Sequence, residues 1–302
     1  VRALVVDHAE AGPIRLAEVA EPDPAPHECL VAVSHIGLNP CDLEHAGRRP
    51  GGSVHGRDAS GVVVAAAADG SGPAVGSRVA VGRAWGAWAE RAAVDARLLA
   101  VVPDGVELAD AAALGVAGTT ALRVLRTRSV LGREVLVTGA SGGVGRFAVQ
   151  LAALAGARVS ALVGSPKRAE GLRGLGASWA GVLADLRGEF DLVVDTVGGP
   201  QLADVWERVA PGGDLRLVGV ASGERTVFGP GELFALGQAR TISTFGEELP
   251  GVDGELAVLL GLMARGRLSA EVGLRGDWHE LRGAAMALFA REVRGKVVLD
   301  VF

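Results

Sequence analysis

The apolar residues of this chain change their spacing partway along. Up to about residue 113 they come in short runs or in alternation, at 2–6, 14–19, 29–36, 60–66, 78–81 and 98–102. Gly, Pro and Asp punctuate these runs, so each reads as a strand and the region as a barrel-like or sandwich domain. The stretch Glu21-Pro22-Asp23-Pro24-Ala25-Pro26 is a stiff loop, because each proline drives its predecessor out of the helical region. At Pro103-Asp104-Gly105 the texture changes. Residues 108–114 and 119–125 have helical spacing, and strands then alternate with helices. Strands are expected at 135–137, 158–163, 190–195 and 215–220, with a helix at 202–210 and a turn at Pro211-Gly212-Gly213-Asp214. An amphipathic helix is expected at 256–265, and a strand at 296–301 that returns to the first domain. The class is α/β, a β-rich domain joined to a doubly wound parallel sheet. The expected bounds are 1–113 with 256–302 for the first domain and 114–255 for the second.

One stretch organises the second domain. The apolar run Val135-Leu136-Val137 leads through Thr138 into Gly139-Ala140-Ser141-Gly142-Gly143-Val144-Gly145 and then into a small-residue helical pattern. Gly139, Gly142 and Gly145 have the spacing G-x-x-G-x-x-G, a variant of the dinucleotide fingerprint. A pyrophosphate sits on a helix N-terminus, where free N–H groups and the helix dipole favour negative charge and side chains obstruct approach. The expected cradle is therefore Gly139, Ser141, Gly142, Gly143, Val144 and Gly145. The bland alternative is an ordinary strand-to-helix loop, since glycine makes up 45 of the 302 residues.

About 20 residues on, an acid would bind a ribose 2′-hydroxyl and select NAD. Here Gly164 and Ser165 stand instead, followed by Lys167 and Arg168. A hydroxyl and two cations suit a 2′-phosphate, which points to NADP(H). A solvated first turn of a helix is the alternative.

Composition narrows the class. The chain is 49% hydrophobic and 22% charged, enough apolar residue for a sizeable core, and its formal net charge is −5 with no basic block. That argues against a nucleic-acid partner. Two cysteines, Cys29 and Cys41, cannot form a disulfide framework or a four-cysteine zinc lobe. No apolar run approaches the roughly 18 residues of a membrane span. The opening residues 1–6 are too short for a secretory core and run into Asp7-His8. The expectation is a cytoplasmic protein with a small-molecule substrate.

The order of these parts resembles the medium-chain dehydrogenase/reductase superfamily, in its zinc-free quinone oxidoreductase-like branch. The segments that carry the resemblance span nearly the whole chain. They are Gly37-Leu38-Asn39-Pro40-Cys41-Asp42, Gly56-Arg57-Asp58-Ala59-Ser60-Gly61, Gly76-Ser77-Arg78-Val79, Ala111 to Ala121, the glycine loop, Asp195-Thr196-Val197-Gly198-Gly199 and Gly295-Lys296-Val297-Val298. The resemblance implies a GroES-like substrate domain made from both chain ends around a nucleotide domain. It implies hydride transfer from NADPH to a quinone or an activated alkene, and a homodimer through the nucleotide domains. It also places Thr120 and Val197 against the cofactor, with Val218-Gly219-Val220 beside the nicotinamide.

Zinc-dependent relatives would carry Cys where Asn39 stands and Gly-His-Glu where Gly56-Arg57-Asp58 stands. Asn and Arg are poor zinc ligands, so no metal is expected. Asn39 is the only asparagine, and the resemblance implies that it bonds cofactor ribose or substrate; starting a turn is its alternative role. The chain contains no tyrosine, which removes the proton donor several enoyl reductases of this superfamily look to. Asp42, His45 and His55 are the candidate acids, with Glu44 behind them. Asn39, Trp85 and Phe245 are expected at the substrate pocket, and Trp88 is read as packing. The competing reading keeps the fold without redox chemistry, as a cofactor-bound scaffold or a cyclase-like tailoring protein.

Overall fold

A computed structural model describes residues 1–8, 13–234, 239–245 and 250–302. Along the chain come β1 (Arg2–Val6), β2 (Ile14–Glu18), β3 (Glu28–Leu38), α1 (Pro40–Ala46), β4 (Asp58–Ala65), β5 (Arg78–Val81), β6 (Arg91–Asp95), β7 (Leu99–Val101), α2 (Leu108–Ala111) and α3 (Ala117–Arg126). Then follow β8 (Glu134–Val137), α4 (Gly143–Leu154), β9 (Arg158–Leu162), β10 (Trp179–Gly181), β11 (Phe190–Asp195), α5 (Gly199–Trp206), β12 (Val209–Leu217) and β13 (Thr241–Thr244). The last elements are α6 (Val252–Ala264), β14 (Val272–Asp277), α7 (Leu281–Phe289) and β15 (Lys296–Asp300). No described helix is long and apolar enough to cross a membrane.

The chain divides into two compact units, Val1–Thr119 with Glu248–Phe302, and Thr120–Glu247. The first is built on a sheet in the order β14-β15-β3-β4-β5-β7, with β6 also on β3. β3 is its longest strand. It pairs with β6 through residues 28–32 and with β15 through residues 35–38. Cys29, Val31 and Val33 are buried on alternate positions, and a bulge between Val33 and His35 lets Ile36 and Leu38 turn inward. Trp88 and Trp278 fill the centre of this core.

The second unit holds six parallel strands in the order β10-β9-β8-β11-β12-β13. β8 and β11 are its middle pair, and the order runs outward in opposite directions from them. That junction is the topological switch point, where ligands of such sheets gather at the carboxyl ends. Val135, Leu136, Val137, Leu192, Val193 and Val194 are fully buried there, as an all-parallel sheet covered on both faces requires.

Several elements differ from expectation. The helix expected to reach residue 210 stops at Trp206, and β12 begins at Val209. The strand passes through Pro211-Gly212-Gly213 as a bulge, pairing Val209 with Phe190 and then Asp214 with Leu192. Gly212 takes a φ of +72°, which lets the chain kink without leaving the sheet. β6 was not expected, because its alternation is short and its ends are charged; pairing with β3 decides it. α6 starts at Val252 and buries Val252, Leu256, Leu259 and Leu260, so it belongs to the first unit from its first turn.

Gly56 is a point of close approach, with φ of +83° and a would-be Cβ 1.9 Å from Trp88 Cγ. Gly56→Ala should lower the urea unfolding midpoint by an amount equivalent to on the order of 3 kcal/mol, from left-handed strain plus displacement of Trp88. An unchanged midpoint would contradict this packing.

Candidate functional site

In the second unit, α4 begins where β8 ends. Gly142 caps it without a side-chain hydrogen bond, so no cap side chain occupies the first-turn N–H groups. Two glycines of the loop are demanded by the protein itself. A Cβ on Gly139, whose φ is +56°, would meet Thr196 Oγ1 at 2.2 Å, and one on Gly145 would meet the Gly139 carbonyl oxygen at 2.4 Å. A Cβ on Gly142 would make only an ordinary contact, 3.4 Å from that same oxygen. Gly142, Gly143 and Val144 are half-buried, while Ser141 and Gly145 are buried. A bare helix start behind a tightly turned glycine loop fits a pyrophosphate.

The loop is tied to its neighbour through Asp195 at the end of β11. Thr138 Oγ1 donates to Asp195 Oδ1 at 2.5 Å, and the Gly198 N–H donates to Oδ2 at 2.8 Å. Thr196 N–H donates to Thr138 Oγ1 and Thr196 Oγ1 donates to the Thr138 carbonyl, at 3.1 and 2.9 Å. Burial pushes the Asp195 carboxyl up, and the donors from Thr138, Gly198 and Val197 oppose it. The network fixes the two loops at the switch point against each other.

The other expected nucleotide residues gather at the same edge. Gly164 and Ser165 follow β9, Val197 follows β11, Val218-Gly219-Val220 follows β12, and Phe245 follows β13. The strands are parallel, so all these loops leave the sheet on one side. Val218 N–H donates to the Asp195 carbonyl at 2.8 Å, and Phe245 N–H to the Leu217 carbonyl at 3.0 Å. Lys167 is exposed on the turn after β9. Arg168 Nε donates to Ser141 Oγ at 2.8 Å, which holds the guanidinium against the glycine loop. Thr120 is buried on α3.

The first unit holds a buried polar cluster where both chain ends meet. Asn39 stands between β3 and α1, Asp42 lies in the first turn of α1, Arg57 and Asp58 open β4, and Lys296 opens β15. Asn39 Nδ2 donates to Asp42 Oδ2 at 2.9 Å and to Asp58 Oδ2 at 2.8 Å. Asn39 Oδ1 accepts from Lys296 Nζ at 2.5 Å, and Nζ also donates to the Leu38 carbonyl at 3.1 Å. Lys296 Nζ lies 3.8 Å from Asp58 Oδ2, and Arg57 Nε lies 2.7 Å from Asp42 Oδ1. Two cations thus face two carboxylates, all buried. Burial pushes Asp58 up, with Lys296 opposing, and pushes Lys296 down, with Asp58 and Asp42 opposing. Asp58 Oδ1 has no hydrogen-bond partner and packs against Gly115.

This arrangement corrects two expectations. Both N–H groups of Asn39 are committed to carboxylates, so it has no donor left for a ribose or a substrate. Flipping the amide would turn its oxygen toward two carboxylates and its N–H groups toward an ammonium, so charge fixes its orientation. Asp42 is fully buried, paired with Arg57, and accepts from the Asn39 backbone N–H at 3.0 Å. It is a positioning residue and not an exposed acid. The same cluster tests the zinc site. An amide, a guanidinium and an ammonium stand where a divalent cation would need anionic or neutral nitrogen ligands, so these residues do not fit zinc. Among the described residues no group of three or more His, Cys, Asp or Glu could hold a metal.

Beside the cluster lies an aromatic group that is open to solvent. Trp85 is 37% exposed. The His45 and His55 ring centroids lie 6.0 and 5.4 Å from it, and Arg49 and Arg57 guanidiniums lie 4.4 and 4.9 Å from its centroid. His55 Nε2 is 2.7 Å from the Asp42 carbonyl, which can only accept, so Nε2 carries the proton. Burial lowers the His55 pKa, and its buried Nδ1 is a bare lone pair. His45 is half-buried, with Nδ1 buried and unpartnered. Trp88 is fully buried against His55, as packing requires. Lys296, Asp195 and Arg49 escaped the sequence reading. The signal available was the rarity of lysine, since Lys296 is one of only two.

Removing Lys296 leaves Asp58 without its counter-charge. Lys296→Ala should cost about 3–5 kcal/mol in denaturant unfolding, and adding Asp58→Asn should restore much of the loss. A full loss in the double variant would contradict the pairing. Cys41 accepts from Arg57 at 2.7 Å, yet burial and Asp42 push its thiol up to about 12. At pH 8.5 it stays protonated, so iodoacetamide should alkylate it more than about 100-fold slower than in the unfolded chain. Comparable rates would overturn that assignment.

Comparison with known proteins agrees with this geometry. The alcohol dehydrogenase GroES-like domain family matches residues 25–104, and the zinc-binding dehydrogenase family matches residues 143–253. A mycocerosic acid synthase-like polyketide synthase of Mycobacterium tuberculosis is 31% identical over 98% of this chain. The chain spans only 16% of that relative's length. A quinone oxidoreductase of Pseudomonas aeruginosa is 30% identical, with 92% of each chain covered. The structure of mycobacterial Rv1454c complexed with NADPH superposes with a TM-score of 0.88 at 27% identity, covering 99% of each chain. With a relative matched almost end to end and both halves of the fold accounted for, the chain belongs to the medium-chain dehydrogenase/reductase superfamily, in its quinone oxidoreductase-like branch.

Proposed function

We propose that the chain is an NADPH-dependent reductase that works without zinc and delivers hydride to a quinone or to an alkene conjugated with a carbonyl. The observation that carries this reading is the glycine loop closed by Asp195, with Arg168 held on Ser141 beside it. Gly139, Gly142, Gly143, Val144 and Gly145 would hold the pyrophosphate. Ser165, Lys167 and Arg168 would hold the 2′-phosphate, since no acid stands at the end of β9 to claim a 2′-hydroxyl. One cation at ~4 Å from a phosphate charge gains at most about 4 kcal/mol at an effective dielectric of 20, and about 1.4 kcal/mol already selects tenfold. Thr120, Val197, Val218, Gly219 and Val220 would line the rest of the cofactor. The P. aeruginosa relative and the NADPH complex of Rv1454c support the cofactor and the quinone.

The bound cofactor supplies hydride; the chain supplies orientation and a proton path. Reducing an alkene also needs a proton at the neighbouring carbon, whereas a reduced quinone takes its protons from water. His45 is the side-chain donor we favour, ahead of Glu44, because Asp42 is committed and His55 Nε2 is bound to a carbonyl. Trp85 would form a wall of the acceptor pocket, with Phe245 a second candidate. A homodimer through the second unit is supported by β13, which ends the sheet among the described residues, and by exposed Leu233, Phe234 and Ile242 near it in sequence. Two free cysteines suit a cytoplasmic setting.

Titration of the purified protein with NADPH and NADH, followed by cofactor fluorescence, tests the reading. NADPH should bind at least about tenfold more tightly, and Lys167→Ala or Arg168→Ala should each weaken it several-fold while changing NADH less. Binding of neither cofactor would overturn the reductase reading and favour a non-redox scaffold. His45→Gln should slow reduction of an enone more than reduction of a quinone; equal effects would remove His45 as proton donor.

A further inference from the structure

We propose that Arg49 and Trp85 form a carboxylate-recognition subsite, so that the natural acceptor is a conjugated carbonyl compound carrying a carboxylate. This rests on the reductase reading and names its substrate class.

Arg49 differs from several other arginines of the first unit. Arg2 pairs with Glu90, Arg91 with Glu21, Arg275 with Asp110, and Arg57 with Asp42. Arg49 has no ion pair among the described residues, and its Nε is buried without a hydrogen-bond partner. Its guanidinium lies 4.4 Å from the Trp85 ring centroid. A guanidinium seated over an indole meets the ring as a cation and can still offer N–H groups to a planar, two-pronged acceptor. A carboxylate has that shape.

The surroundings favour negative charge. Of the two acids on α1, Asp42 is paired with Arg57 and Glu44 is exposed. Burial lowers the His55 pKa, and its Nε2–H donates to the Asp42 carbonyl. His45 presents an edge to the same indole and has a buried, unpartnered Nδ1. Trp85 is partly exposed although Arg49 and Arg57 both lie over its ring, so a conjugated chain can meet the exposed part of the indole. A keto-enoate fits these groups: its carboxylate on Arg49 and its unsaturated chain along Trp85. In the reaction the carboxylate is unchanged. The alkene carbon takes hydride from NADPH, its neighbour takes a proton, and NADP⁺ and the saturated acid leave.

The test compares trans-3-benzoylacrylate with its methyl ester, two acceptors that differ in charge and share the enone. In wild-type protein kcat/KM for NADPH oxidation should favour the acid by at least about tenfold. Arg49→Gln should cut that ratio about tenfold, and Arg49→Lys, which keeps the charge and loses the fork, should recover part of it. A ratio near one in the wild type, or one unchanged by Arg49→Gln, overturns the subsite. Calorimetric binding of the two compounds without NADPH is the second measurement. Tighter binding of the acid to wild type, lost in Arg49→Gln, supports the subsite even if no acceptor is reduced, an outcome that would remove the reductase reading alone. Equal binding of acid and ester overturns the subsite while leaving that reading intact.

Discussion

A lysine ammonium 2.5 Å from an asparagine carbonyl oxygen, inside a β-rich core, is the contact on which the first unit's polar interior depends. Lys296 arrives from the last strand and fixes Asn39, whose two N–H groups then bind Asp42 and Asp58. Asp42 in turn holds Arg57, and Arg57 reaches the face of Trp85. Each charge in this chain is buried, so none is stable without its partner. The start of α1, and with it the placement of His45 and Arg49, follows from satisfying that interior. The network ends at the partly exposed indole of Trp85.

The second unit buries an acid by a different route. Among the described residues Asp195 pairs with no cation; hydroxyl and backbone N–H donors hold it at the switch point. A carboxylate that collects donors from two loops sets the distance between them. That distance is what makes glycine necessary at 139, where Thr196 comes within 2.2 Å of a would-be Cβ. The glycine motif therefore has two physical origins. Gly139 and Gly145 answer to the protein's own backbone, and Gly142 leaves the helix start uncovered for a ligand.

The two units divide the proposed work. The parallel sheet offers a place for an anionic cofactor through oriented N–H groups and two nearby cations. The β-rich unit would offer an acceptor surface made of an indole, imidazoles and guanidiniums, with Asp42 and Asp58 buried against Arg57 and Lys296. The chain contains no tyrosine, so the proposed proton sources are imidazole, a carboxyl group or water.

Much of this was legible in the sequence, for identifiable reasons. Hydrophobic period and glycine spacing are local properties, so the β-rich opening, the alternating second half and the strand–glycine loop–helix order around Gly139 to Gly145 could be read directly. The acid-free end of β9 was equally local. The strand path through Pro211-Gly212-Gly213 was not, because the register with β11 overrides the turn signal. Nor were the roles of Asn39, Asp42 and Lys296. Sequence marks Asn39 and Asp42 as polar residues in a loop, which suits catalysis as well as structure. Only tertiary structure brings Lys296, 257 residues away, onto the Asn39 amide and shows that its donors are spent. Local chemistry names the residues able to act; long-range pairing decides which of them remain free to do so.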